Sequence, residues 1–198
     1  FPEVLNGVEF AIDVMASGVT PARIELLDAA QMAALMTYHK ISLPAGPSIF
    51  LEIAGTPAQV AEQSEMVLAY AEDHGAAHIN QCASVEEASQ VWKIRYSAVA
   101  ASRGSQPGCE TLSTDLCVPI STLAEAVKRS QRMISEAGLE AHFSGHVGDG
   151  NFHAMFICDP SQPDQMAKAN VIHADMIALA LEFDGTATGE HGVGLGKK

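Results

Sequence analysis

Basic residues are scarce in this chain: 11 Lys and Arg stand against 24 Asp and Glu, a formal net charge of -13. That balance argues against nucleic acid or an anionic membrane surface as a direct partner, and leaves a basic protein surface as the favoured macromolecular counterpart. Cysteine is also sparse. Cys82, Cys109, Cys117 and Cys158 form no CxxC pair, so a thiolate metal site is excluded, and a chain of this length needs no disulfide. The four are read as reduced, mostly buried thiols. There is no run of 18 apolar residues, and therefore no candidate membrane-spanning helix. Internal repeats and low-complexity tracts are lacking too. The opening "FPEVLNGVEF" has no basic n-region of a signal peptide, and it and the closing "GLGKK" both read as cuts in a longer chain. What is plentiful is apolar residue, 47% of the sequence, enough to bury a core in one domain spanning 1–198.

The pattern alternates between helical and strand periods. "VEFAIDVMASGV" places Val8, Ile12 and Met15 on one helical face, and "ARIELLD" reads as a strand followed by the helix "AAQMAALMTYHK". "SIFLEIAG" is a second strand. Thr56 as N-cap, Pro57 in the first turn and Gly75 past the end delimit a helix. "AHINQCAS" is expected as a strand, and Ser84 with Glu87 as a capping box opening one long helix through residue 104. "TLSTDLCVPI" reads as a strand. Ser121 and Gly138 bound a helix, "EAHFSGHV" and "FHAMFICD" form a hairpin, and residues 165–185 give a last helix. This order implies an α+β fold, helices layered on a mostly antiparallel sheet.

The most informative stretch is "GHVGDGNFHAMF", residues 145–156. With a turn at Gly148-Asp149-Gly150-Asn151, His146 faces His153 across the hairpin, Cβ atoms about 4.5–5.5 Å apart. Two imidazoles so placed can share one cation through bonds of about 2.0–2.1 Å. Two arbitrary histidines on a hairpin are more often simple surface residues. A third donor shifts the weight: Glu190 lies in "GTATGEHGVGLGKK", whose glycines permit close backbone approach. Two histidines and a glutamate leave an open coordination position, the pattern of a catalytic ion. His191, pointing elsewhere, is then available as a base. Asp149 and Asn151 suit the turn or a supporting role. "GVGLGKK" is no phosphate loop, because His191 and Lys198 occupy positions that need Gly and Ser or Thr.

Together the two motifs resemble the C-terminal substrate domain of FAD-linked 2-hydroxyacid oxidases and dehydrogenases, with "ARIELLD", "PSIFLEIAG", "VWKIRYSAVAASRG" and "TDLCVPIS" supporting the likeness. The cytochrome-type D-lactate dehydrogenases are the most similar, with glycolate oxidase flavin subunits and D-2-hydroxyglutarate dehydrogenases as relatives. The resemblance implies a ferredoxin-like α+β fold and a separate N-terminal FAD-binding domain that this chain lacks, so that the fragment alone is inactive. It implies metal ligands His146, His153 and Glu190, and His191 as catalytic base and substrate contact. Arg95, by its residues alone a solvated helix position beside a core Trp92, becomes by resemblance the grip on a substrate carboxylate. Met155 stands where the hydroxyglutarate enzymes carry Asn, which favours a small monocarboxylate.

The implied activity is oxidation of a D-2-hydroxy acid, D-lactate to pyruvate foremost, with hydride passing to FAD held mainly by the absent domain. A divalent metal, Zn²⁺ or Mn²⁺, would assist. A cytochrome or quinone acceptor is expected, as are a homodimer and a cytoplasmic location peripheral to the inner membrane, mitochondrial in a eukaryote. Two rivals remain open here: a metal-dependent hydrolase, which would act without flavin but lacks HExxH, and a metal-stabilised interaction module, whose ion would be structural.

Overall fold

A computed structural model describes residues 1–188. Seven helices and seven strands follow in the order α1 (Val4–Ala16), β1 (Pro21–Leu27), α2 (Ala29–His39), β2 (Ser48–Ile53), α3 (Pro57–Asp73), α4 (Val85–Tyr96), α5 (Ala98–Ser105), β3 (Glu110–Ser113), β4 (Leu116–Cys117), α6 (Leu123–Glu136), β5 (Glu140–Gly145), β6 (Asn151–Cys158), α7 (Pro163–Glu182) and β7 (Thr186–Ala187). The strands run β2-β1-β5-β6-β4-β7, with β3 also on β6. Every pairing is antiparallel. The α+β class is as expected.

The alternation of side chains along each strand separates two cores. Ile24, Leu26, Phe143, Phe152, Ala154 and Phe156 face a large cluster built with α1, α3, α6 and α7. Leu27, and Phe50 beside it, belong instead to a smaller cluster with Met32, Leu35, Ala98 and Ala101 on α2 and α5. Fully burying one such aliphatic or aromatic side chain contributes about 1.5–3 kcal/mol, so the larger cluster dominates stability. The smaller one leaves part of its sheet face to polar residues.

Local signals explain most boundaries. Thr56 and Gln59 form a reciprocal capping box at α3. Asp28 caps α2 by accepting from the Gln31 amide at 2.7 Å, and its other oxygen accepts from the Phe143 amide of β5 at 2.9 Å. Five expectations are corrected. Residues 77–83 form no strand: they are exposed coil between α3 and α4, Ile79 included, and pair with no strand among the described residues. The long helix from Ser84 breaks at Ser97, whose hydroxyl donates to Ile94 O at 2.6 Å and bonds His39 Nε2, competing with the helical ladder. Glu87 reaches the Ala83 amide rather than that of Ser84, so that cap is not reciprocal. At α6 the chain makes a 3-10 turn over Ile120–Thr122 before the helix, and Ser121 does not cap it. Of the cysteines only Cys158 is buried; Cys82 is exposed. No helix among the described residues is long and apolar enough to cross a membrane.

Candidate functional site

The hairpin register differs from the one expected. Ser144, not His146, is opposite His153, and β5 ends at Gly145. The turn is a 3-10 turn over Val147–Asp149 closed by Gly150 at φ 74. The offset is two residues, a whole period of the strand, so His146 still shares a face with His153 as a diagonal neighbour. Their ring centroids lie 5.8 Å apart, edge to face. Two glycines make the tight turn possible. A Cβ on Gly150 would fall 2.0 Å from Val118 O, and one on Gly145 2.5 Å from Asn151 O.

Across β1 and β5, Leu26 pairs with Gly145 and Leu27 with Ser144, so the same register brings Glu25 opposite His146. His146 Nδ1 and Glu25 Oε1 are 2.8 Å apart, and Arg95 Nη2 on α4 donates to Glu25 Oε2 at 2.8 Å. The Arg95 and Glu25 side chains are only 12% and 11% exposed. Burial alone would raise the Glu25 carboxyl, but the His146 hydrogen bond and the nearby Arg95 and His146 charges outweigh it and hold the group below its ordinary value. Glu25 is thus an ionised bridge. A carboxylate holding an imidazole through Nδ1 is also the usual outer support of a metal-binding histidine.

On the far side, Ser113 pairs with Met155 and Leu116 with Phe152 in one unbroken register. β3 and β4 are therefore one strand along β6, interrupted where Thr114 Oγ1 accepts the Ala154 amide at 2.8 Å. That register sets Asp115 opposite His153, with Asp115 Oδ1 3.6 Å from His153 Nδ1. Asn151 Nδ2 donates to the same carboxylate oxygen at 3.1 Å. The outcome is a row of polar groups, Glu25, His146, His153, Asn151 and Asp115, on one sheet face between two apolar clusters.

Sequence reasoning named His146, His153 and Arg95; the structure places both histidines in this row and joins Arg95, on α4, to it through Glu25. Glu190 and His191 lie outside the described residues, as do Lys197 and Lys198. Glu25 and Asp115 were missed. Their only signal is an acidic residue at an inward position of an apolar strand, in "RIELL" and "STDLCV". Trp92 is core, as its residue type suggested, and stacks on Arg23, whose guanidinium carbon lies 4.5 Å from the ring centroid. Arg23 also pairs with Glu52 and donates to the Tyr96 hydroxyl, a surface clamp on α4. His142 is buried and bonded to Ser102, apart from the site.

No group of three or more His, Cys, Asp or Glu able to hold a metal is present among the described residues. Two of the donors fit, however: bonds of about 2.0–2.1 Å from each imidazole accommodate ring centroids at 5.8 Å. A third donor has to come from elsewhere.

The sequence profile of the FAD linked oxidases, C-terminal domain, matches residues 1–198. The chain belongs to this family. It is 38% identical over 197 residues to a mitochondrial D-lactate dehydrogenase [cytochrome] of Arabidopsis thaliana, covering all of this chain and 35% of that protein. A probable mitochondrial D-lactate dehydrogenase of Danio rerio is 34% identical, covering 100% and 40%. The glycolate oxidase subunit GlcD of Bacillus subtilis is 30% identical over 92% of this chain and 39% of its own. The chain thus spans little more than a third of these relatives. Among solved structures, an alkyldihydroxyacetonephosphate synthase matches with a TM-score of 0.62 at 13% identity, over 94% of this chain and 38% of that one. A p-cresol methylhydroxylase matches at 0.61 and 12%, over 94% and 43%. At such identities they speak for the fold alone.

Proposed function

We propose that this chain is the substrate- and metal-binding part of an FAD-dependent D-2-hydroxyacid dehydrogenase, with D-lactate, oxidised to pyruvate, the favoured substrate. The observation that carries the reading is the Arg95–Glu25–His146 chain beside His153, one face offering a cation two imidazoles and an anionic substrate a guanidinium. The relatives' names support the substrate class.

His146 and His153, with Glu190 as the third donor, would hold a divalent ion, Zn²⁺ or Mn²⁺. Bound there, it supplies Lewis acidity toward an α-hydroxyl and a fixed orientation for the substrate. Arg95 recognises the substrate carboxylate. Its Nε is buried and has no hydrogen-bond partner among the described residues, a costly state that a carboxylate oxygen relieves. Glu25 keeps that guanidinium and the His146 ring in place. His191 takes the hydroxyl proton. FAD, held by an N-terminal domain beyond this chain, supplies the hydride acceptor, so this part alone is inactive. The buried, apolar Met155 on the same face favours a small side chain over a second carboxylate.

A cytochrome acceptor and, in a eukaryote, a mitochondrial location follow the relatives' names; a homodimer remains part of the proposal. The test is a kinetic panel of D-lactate, glycolate and D-2-hydroxyglutarate on the intact flavoprotein. D-Lactate should show the highest kcat/KM. A preference for the dicarboxylate would overturn the substrate assignment.

A further inference from the structure

Asp115 stands in the middle of three strands. On one side it is opposite His153 of β6; on the other, the register that pairs Leu116 with Ala187 and Cys117 with Thr186 brings it opposite Thr188. Its side chain is 1% exposed. Two groups donate to Oδ1, Asn151 Nδ2 at 3.1 Å and the Thr188 hydroxyl, and the His153 ring approaches the same atom. The Asp115 carbonyl accepts the Thr188 amide at 2.8 Å.

A carboxylate buried to this degree costs stability unless its lone pairs are filled, and an apolar residue would pack the same position without that cost. Its partners indicate what it contributes. β7 is only two residues long and rests on β4 by two residue pairs. So short a strand has a weakly specified register, and slippage by one residue would turn every following side chain to the other face. Thr188 adds a third step to that ladder through its amide, and reinforces it through its side chain. The hydroxyl reaches Asp115 only in the observed register. Glu190 and His191 follow Thr188 by two and three residues in the sequence.

We propose that Asp115 is a positioning residue that locks the stem of the glycine-rich segment at Thr188 to the strand bearing Asn151 and His153. Under the metal reading, in which Glu190 and His191 act with the histidine pair, loss of this anchor should weaken the site. This rests on the metal reading above for its consequence, but not for the anchor itself.

The experiment uses the intact flavoprotein with Asp115→Asn, Thr188→Val and Thr188→Ser. Amide hydrogen exchange is followed in peptides covering residues 183–198, with α1 and α3 as internal reference, and Zn²⁺ affinity is measured by chelator competition. Asp115→Asn and Thr188→Val should each speed exchange at 186–188 by roughly tenfold, leaving the reference helices and flavin content unchanged. Both should weaken Zn²⁺ binding by about 10–100-fold. Thr188→Ser, which keeps the hydroxyl, should restore both. Where Asp115→Asn fails to fold, the Val and Ser pair decides. Exchange and affinity unchanged in Asp115→Asn and Thr188→Val would overturn the proposal, as would faster exchange throughout the chain. If exchange responds as stated while the wild type binds no Zn²⁺, the anchor stands and the metal reading falls.

Discussion

Glu25 on β1 lies opposite His146, the residue just past β5, and joins it, through one carboxylate, to Arg95 on a helix above the sheet, each contact 2.8 Å. Because the carboxylate is buried between a cation and an imidazole, its removal leaves Arg95 without its partner. Glu25→Ala should therefore cost roughly 3–5 kcal/mol of stability, the range for breaking a buried ion pair. Glu25→Gln keeps the shape and loses the charge. It should weaken Zn²⁺ by about 10–100-fold and raise KM for D-lactate more than it lowers kcat. Chelator competition and steady-state kinetics check both; wild-type values for Gln would dismiss the bridge.

Gly150 sets the turn that returns His153 toward His146. At φ 74, with Val118 O 2.0 Å from the Cβ it lacks, it tolerates no side chain without movement of backbone. Gly150→Ala should cost at least about 1–2 kcal/mol from the left-handed conformation alone, and metal affinity should fall with it. Thermal melts and metal analysis of the same variant measure the two effects together.

Phe152 and His153 are sequence neighbours with opposite duties. Phe152 is 1% exposed in the larger cluster, so Phe152→Ala should cost about 3–5 kcal/mol. His153→Ala removes a polar donor from the other face and should instead abolish metal retention at near-normal fold. Denaturant titration beside metal content separates them.

Asp28 gives stability a distinct pH dependence. Burial raises its carboxyl to about 6, against the opposing pull of the Gln31 and Phe143 amides. A folded pKa above the unfolded one means the folded state holds the proton more tightly. The contribution, roughly 3 kcal/mol for a shift of about two units, is complete below about pH 4 and is lost as the pH rises through 6. Asp28→Asn lacks this loss. The difference in melting temperature, Asn variant minus wild type, should become more positive from pH 4 to pH 8. A difference independent of pH would refute the assignment.

His191→Asn in the intact enzyme should lower turnover at neutral pH by about 10²–10⁴-fold, the usual contribution of a general base. Turnover within a few-fold of wild type would remove His191 from the mechanism.

How much of this was legible in the sequence follows from the range of each signal. Thr56 before Pro57 and the period-2 alternation of β5 and β6 act locally, and each element appeared where these residues stand; the Asp28 cap, read as the end of a strand, came only with the structure. The hairpin's face was legible although its register was not: the turn chemistry of Gly148 to Asn151 permits more than one loop, and only a two-residue offset preserved the pairing of faces. Residues 77–83 look like a strand because strand propensity is local, whereas a strand needs an edge to join. Glu25 and Asp115 were illegible for the opposite reason. Their roles come from partners 121 and 73 positions away in sequence, and a lone acid in an apolar strand carries no spacing to read.

In the proposed site His146 and His153 grip one ion in company with Glu190. Anomalous diffraction at the zinc edge from crystals of the intact, zinc-loaded flavoprotein tests it most directly. A single peak about 2.0–2.1 Å from one nitrogen of each imidazole is predicted. A fully occupied ion elsewhere, with none between these two rings, would contradict the account.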